Sequence, residues 1–216
     1  MPIFPYFAQN PEAAEIFDNA MTSFTANHSA AITTGYDFSS IKTLVDIGGG
    51  HGSLLAAILK ANPMMEGILY DLPPVITGAK QYLETAGLNG RCQVFAGDFF
   101  ESVPSGGDAY IMKNIIHDWD DERANAQSAR FANAILKNCH RAMPENGLLL
   151  VVENVIPLGN EPSKGKFLDL EMLLMTSGGR ERTETEFREL FALAGFNLTN
   201  ITPTQSPLSV ISGVKA

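Results

Sequence analysis

The densest chemistry in the chain is a run of glycines framed by an acid and a histidine, Asp46-Ile47-Gly48-Gly49-Gly50-His51-Gly52. Glycine has no Cβ, so such a turn lets a ligand approach the backbone closely and meet its N–H groups. Two further acids follow, Asp71 in Tyr70-Asp71-Leu72-Pro73-Pro74 and Asp98 in Gly97-Asp98-Phe99-Phe100. A carboxylate at Asp71 can accept two hydrogen bonds from the vicinal hydroxyls of a ribose. Asp98 can take an adenine amino proton while Phe99 covers the ring. The loop and two acids, in that order, describe a nucleoside site. The register is D-x-G-x-G-x-G; a dinucleotide fingerprint read from Gly48 would need Gly or Ala where Ser53 stands.

These residues need a scaffold that gathers them at one edge, and the patterning predicts one. Short apolar runs over 42–47, 67–70, 92–95, 109–112 and 148–153 read as strands. Helices are predicted between them over 53–60, from Pro73 to about Ala86, over 120–143 and from Thr183 to Gly195. Pro73 and Pro74 suit a first helical turn, and Thr183 with Glu186 has the spacing of a capping box. Phe131, Ile135 and Cys139 fall on one face of the 120–143 helix. Near the N-terminus a helix opens at Pro11, with Ile16, Phe17, Ala20, Met21 and Phe24 on one face, before a polar stretch over 25–40. Two weaker strands are expected near 197–201 and 208–214.

Strands alternating with helices imply an α/β fold, a doubly wound parallel sheet covered on both faces. Ligands of such sheets sit beyond the carboxyl ends of the strands, so Asp46, Asp71, Asp98, Lys113 and Glu153 become site candidates together.

Composition narrows the partners. The 216 residues are 45% hydrophobic and 18% charged, as in a globular chain, and 15 Lys and Arg against 24 Asp and Glu give a formal charge of −9. An acidic surface without a basic stripe argues against nucleic acid. No run approaches the roughly 20 apolar residues of a membrane span, and no basic leader precedes residue 10. Cys92 and Cys139 form no CxxC pair. The expectation is a cytoplasmic protein without a structural zinc site, disulfide framework or membrane partner.

The stretches LVDIGGGHG, YDLP, AGDFF, MKNIIHDWDDE, VVENVIP and GGRERTETEF together resemble the catalytic domain of a family of S-adenosylmethionine-dependent O-methyltransferases. The family includes plant caffeic-acid and flavonoid enzymes and bacterial enzymes of polyketide and other aromatic natural-product tailoring. The resemblance covers the chain from Phe7 onward and implies a class I methyltransferase, Rossmann-like sheet, mostly parallel with an antiparallel C-terminal strand. It divides the chain into a helical connector over 1–40 and a catalytic domain over 41–216.

Carried over by residue, the resemblance implies that Asp46, Gly48, Gly50 and Gly52 hold the methionine end of the cofactor. Asp71, with Leu72 beside it, holds the ribose; Asp98 and Phe99 hold the adenine; Lys113 completes the cofactor set. His117 matches the general base, and Glu153 and Glu181 match the acids beside it. Met21, Asn114, Asp118, Met172 and Thr176 fall in segments facing the acceptor. Asn114 stands where plant members carry Trp, so plant acceptor preferences do not transfer. Relatives also carry an N-terminal helical domain of roughly 100 residues, within the usual domain range, that makes their dimer and closes part of the pocket. A homodimer or a helical partner domain is therefore an expected partner, and a small aromatic molecule the expected acceptor.

The chemistry suits these residues. A phenol with pKa ≈ 10 needs a base to react at neutral pH, and an imidazole with pKa ≈ 6.5 can serve if its second nitrogen is held. Glu153 and Glu181 can hold it, as the acid does in a Ser-His-Asp triad. No metal is needed: Asp118, Asp120 and Asp121 read as carboxylates favoured by a helix start rather than as magnesium ligands. His51 is expected to contribute backbone only, and His28 and His140 to be surface or packing residues. Two other readings remain open at this point: a cofactor-binding module inactive without more polypeptide, and a relative that uses the cofactor without transferring methyl.

Overall fold

Runs closed by a polar residue or a glycine lie side by side as the parallel part of a seven-stranded sheet. The computed structural model describes residues 3–88, 90–121 and 131–216. The strands are β1 (Thr43–Ile47), β2 (Glu66–Asp71), β3 (Cys92–Ala96), β4 (Ala109–Lys113), β5 (Leu148–Glu153), β6 (Phe196–Pro203) and β7 (Ser209–Lys215), in the order β3-β2-β1-β4-β5-β7-β6. Five run parallel, and β7 is antiparallel to both of its neighbours. Between β1 and β4 the strand order reverses, which opens a crevice where their carboxyl ends part.

The helices are α1 (Ile3–Gln9), α2 (Pro11–Gly35), α3 (Ser53–Ala61), α4 (Pro73–Thr85), α5 (Ala132–Ala142), α6 (Lys164–Met175) and α7 (Glu184–Leu193). Ile32 of α2, Leu54, Leu55 and Ile58 of α3, and Ile76 and Leu83 of α4 cover one face of the sheet. Ile135, Leu136 and Cys139 of α5 cover the other with Phe187, Leu190 and Phe191 of α7. Each large side chain so buried stabilises the fold by about 1.5–3 kcal/mol, which makes these two layers the main support of the strand ends. Gly67 lets α3 settle on the sheet, since a Cβ there would lie 2.9 Å from Leu59. No helix among the described residues is long and apolar enough to cross a membrane.

Two predicted elements differ from the observed ones, and two observed helices, α1 and α6, are not predicted. The N-terminal helix does not stop at Phe24 but runs to Gly35. Its Ser and Thr hydroxyls donate back to the carbonyl four residues earlier, Thr22 to Asp18 and Ser29 to Thr25 at 2.8 Å each, so they do not compete for the helix's own N–H groups. The face taken as apolar is largely turned outward, with Ile16 72% and Phe24 45% exposed. The long helix expected over 120–143 is present as α5; Asp120 precedes it, Phe131 is an extended N-cap, and residues 122–130 lie outside the described residues. Helix α6 has no counterpart in the prediction, because apolar residues surround it and leave no one-sided stripe to read. The capping box on α7 is as expected: Glu186 accepts from the Thr183 N–H and Thr183 from the Glu186 N–H.

Candidate active site

Glycines at three left-handed positions, Gly48, Gly50 and Gly52, carry the chain from β1 into α3. Each sits at φ between 60° and 82°, where a Cβ is costly. At Gly48 a Cβ would also meet Ile115 Cδ1 at 2.5 Å, whereas one on Gly50 would meet nothing. The open side at Gly50 is thus the side from which a ligand can reach the loop. Asp71, ending the adjacent strand, accepts from Gly50 N–H at Oδ2 and from Leu72 N–H at Oδ1, both at 2.7 Å. Each oxygen keeps a lone pair for a further donor. Burial raises the Asp71 pKa, and the same two N–H bonds oppose that rise.

Asp46 lies beneath the loop. It is 1% exposed, its Oδ2 has no hydrogen-bond partner, and a Cβ on Gly49 would lie 2.6 Å from that oxygen. Burial, with Asp71 nearby, pushes its pKa up to about 7 against the pull of Lys113. Lys113 ends β4 with its ammonium 5.6 Å from the Phe24 ring centroid, which brings α2 over the crevice; burial lowers its pKa while Glu153 and Asp46 oppose. Asp98 follows β3, with Oδ1 accepting from Phe100 N–H at 2.9 Å, and Phe99 stands half-buried beside it.

After β4 the backbone turns through Asn114, the one described non-glycine residue with positive φ (54°), into a single 3-10 turn over Ile116–Asp118. Asn tolerates that conformation better than most side chains. Parallel register places Val152 beside Lys113, so the next residue of β5, Glu153, reaches beneath the turn. Its Oε1 accepts from the Ile115 and Ile116 N–H groups at 3.0 Å and from His117 N–H at 3.4 Å. The carboxylate is fully buried, and Oε2, 3.5 Å from His117 Nδ1, has no hydrogen-bond partner.

Glu181 approaches the same nitrogen from the segment before α7, with Oε1 2.8 Å from His117 Nδ1. Asp118 Oδ1 stands 3.7 Å from Nε2. Burial by itself would lower the imidazole pKa, but Glu153, the Glu181 hydrogen bond and Asp118 outweigh it and raise it to about 9. Burial in turn raises Glu181, against the His117 hydrogen bond, and lifts Asp118 to about 7. The 2.8 Å contact is a direct hydrogen bond; ligands at roughly 2.1 Å from a tetrahedral ion would stand about 3.4 Å apart.

His117, Glu153, Glu181 and Asp118 are thus brought together, as are Gly50, Asp71 and Leu72 around the loop. Met172 is buried on α6, and the Thr176 hydroxyl accepts from Gly179 N–H at 2.7 Å and donates to Met172 O, so it closes the end of that helix. Met21 lies on α2, 41% exposed, one turn before Phe24.

One sequence expectation needs correction. His51 does use its side chain: Nδ1 is 3.1 Å from Thr22 Oγ1, and the ring lies against Gly78, linking α2 and α4 to the glycine loop. Asp121 is the counter-ion of the buried Arg182 and also pairs with Arg180; the helix start expected beside it lies outside the described residues. Arg182 was not singled out at all. A buried arginine within an Arg-Glu-Arg run looks like a surface charge until its partners, some 60 residues earlier in the chain, are known.

Comparison with known proteins follows this geometry. A family model described as an O-methyltransferase domain matches residues 1–197. The phenazine O-methyltransferase PhzM of Lysobacter antibioticus is 47% identical over 208 residues, covering 96% of this chain and 58% of that protein. The crystal structure of LaPhzM superposes with a TM-score of 0.92 at 45% identity, over 100% of this chain and 62% of that one. NcsB1, an O-methyltransferase of neocarzinostatin biosynthesis solved with S-adenosylmethionine and 2-hydroxy-5-methyl naphthoic acid, superposes at 0.87 with 31% identity, over 100% and 62% of the two chains. The chain therefore spans little more than half the length of the curated relative it matches.

Proposed function

The chain belongs to the O-methyltransferase domain family, and from that premise we propose that it moves a methyl group from S-adenosylmethionine to a hydroxyl of a small aromatic molecule, leaving S-adenosylhomocysteine. His117 is the proposed base. The observation that carries this reading is the hydrogen bond from His117 Nδ1 to Glu181, with Glu153 alongside, which leaves Nε2 as the nitrogen that can receive a proton.

The methyl donor carries its methyl on a sulfonium, a good leaving group for in-line displacement. The residues of the chain align the partners and supply the oxyanion. In this reading Asp71 accepts from the ribose, Asp98 and Phe99 hold the adenine, and Gly50 presents open backbone to the methionine end while Gly48 makes the turn that places it. Asp46 and Lys113 set the charge beneath it. The orphaned Asp46 oxygen and the open side of Gly50 fit such a ligand.

The acids beside His117 also set its strength. A phenol proton passing to an ordinary imidazole climbs about 3.5 pK units, roughly 5 kcal/mol; passing to a ring held at about 9 it climbs about one unit, roughly 1.4 kcal/mol. The cost is that only a small fraction of the enzyme is neutral at pH 7, so turnover rises with pH toward 9. Hydroxylated phenazines and hydroxynaphthoic acids are the first acceptors to try, given what the relatives are named for. Asn114, Asp118, Met21, Met172 and Thr176 are proposed to face the acceptor. Free, mostly shielded cysteines fit a reducing compartment, and the cytoplasm is proposed on that ground.

A second form of this reading has an observation of its own. On α6, Phe167, Leu170, Leu173 and Leu174 are 57–85% exposed, as apolar a surface as a pocket wall or interface. In that form the domain over 41–216 binds cofactor through the connector-capped crevice but turns over only beside a second copy or a helical partner domain.

The test is calorimetry with S-adenosylmethionine and S-adenosylhomocysteine, then transfer of labelled methyl to the acceptor panel. His117→Gln is expected to keep cofactor affinity and lose roughly 10²–10⁴ in turnover. Normal turnover in that variant would remove His117 from the reaction.

A further inference from the structure

Among the described residues Arg182 is the largest side chain that is almost wholly buried, and its position is not explained by packing alone. Its guanidinium donates from Nη1 to Ile116 O at 3.1 Å and from Nη2 to Trp119 O at 2.8 Å. Those carbonyls bracket His117. Nε and Nη2 both reach Asp121 Oδ1, at 2.8 and 2.6 Å, and Nη1 also meets Arg180 O.

The same residue is tied to the other two members of the cluster by its backbone. Glu181 precedes it directly. Its own backbone pairs with Val155 in a parallel bridge, and Ile156 N–H donates to its carbonyl at 3.0 Å, two and three residues beyond Glu153. Arg180 N–H donates to His117 O at 2.8 Å, and Gly179 lies so close that a Cβ there would stand 2.4 Å from that oxygen.

The 3-10 turn is therefore held from two sides. Glu153 collects its N–H groups, and Arg182 collects its carbonyls. Ile116 O already accepts from Trp119 N–H at 3.2 Å within the turn and takes Arg182 on its second lone pair, and a planar five-donor guanidinium is the side chain able to bridge two carbonyls and a carboxylate at once. We infer that Arg182, locked by Asp121, is a positioning residue that sets the His117–Glu181 hydrogen bond and so the state of the base. The inference rests on the proposed role of His117, but the geometry it concerns does not depend on which acceptor is used.

Arg182→Lys keeps the charge and loses the fork. In protein labelled with ¹⁵N-histidine, the His117 titration is read by NMR alongside S-adenosylhomocysteine affinity and, once an acceptor is found, kcat and KM. Glu153, Glu181 and Asp118 are the titratable groups facing the ring, and all remain in the variant. We expect the His117 midpoint to fall by one unit or more and kcat to fall at least tenfold. Cofactor affinity, set on β1 and β2, should change less than twofold. An unmoved midpoint, or cofactor affinity falling as far as kcat, overturns the inference. If Arg182→Lys does not fold, Asp121→Asn at the partly exposed end of the clamp gives the same readout; a smaller shift in the same direction supports the inference, and none overturns it. A midpoint that falls in Arg182→Lys, in a protein whose wild type transfers no methyl to the acceptor panel, keeps the positioning role and sinks the proposed function. Methyl transfer by the wild type with an unmoved His117 midpoint in the variant does the reverse.

Discussion

Glu181→Gln separates the carboxylate's charge from its shape. The raised His117 pKa, about 9 against 6.5, corresponds to roughly 3 kcal/mol of preference for imidazolium over neutral ring. That preference is shared by Glu153, Asp118 and the 2.8 Å bond to Glu181. A charge-assisted hydrogen bond contributes about 1.5–3 kcal/mol, so the amide is expected to lower the His117 pKa by about 1–2 units. The rising limb of the kcat/KM profile should move down with it. The plateau should also fall, because a weaker base must accept the same phenolic proton. Stability gives an independent check with a definite sign. The fold raises the imidazole pKa, so the protonated ring's contribution is complete below pH 6.5 and is lost as pH rises through about 9. Denaturation of the wild type at pH 6 and pH 10 should include that loss of roughly 3 kcal/mol, and Glu181→Gln should shrink it. The assays are histidine NMR titration and urea denaturation across that range. A midpoint near 9 in the variant, or near 6.5 in the wild type, would refute the electrostatic account.

Asp71→Ala is expected to weaken S-adenosylhomocysteine binding about 10–100-fold, by removing both the proposed ribose acceptor and the cap on Gly50 N–H; calorimetry reads it, and unchanged affinity would place the ribose elsewhere. Gly48→Ala should cost about 1–3 kcal/mol in thermal or urea unfolding, since its φ of 67° disfavours a Cβ and that Cβ would strike Ile115. Because Ile115 leads directly into the His117 turn, turnover should fall further than stability alone explains, and an undisturbed kcat would show that the glycine loop and the turn are independent.

Much of the scaffold could be read from the chain because its signals are local. The apolar runs of β1, β2, β4 and β5 end at residues that break or terminate strands, and Pro73 and the Thr183–Glu186 pair mark helix starts within four residues of sequence. Where the signal is not local, the reading fell short. Helix α6 scatters its apolar residues around its circumference among four charged ones, and α2 continues through Ser and Thr whose hydroxyls bond back within the helix. Both features depend on what covers the helix or on how side chains satisfy themselves.

The sequence by itself determined the inventory of the site. Glycine suits the left-handed positions of the loop, an acid ends β2, and His117 lies in the acid-rich His-Asp-Trp-Asp-Asp stretch after β4. The tertiary structure decided what those residues are to one another. Parallel pairing of β4 with β5 sets Glu153 under the turn, and docking of the Gly179–Arg182 segment delivers Glu181 to the same imidazole from 64 residues away. Burial then strengthens the interactions among the gathered charges, so that the acids Glu153, Glu181 and Asp118 raise the pKa of a histidine that would otherwise be ordinary. No local pattern encodes that, because the groups responsible are far apart in the chain and charged only in relation to one another once water is excluded.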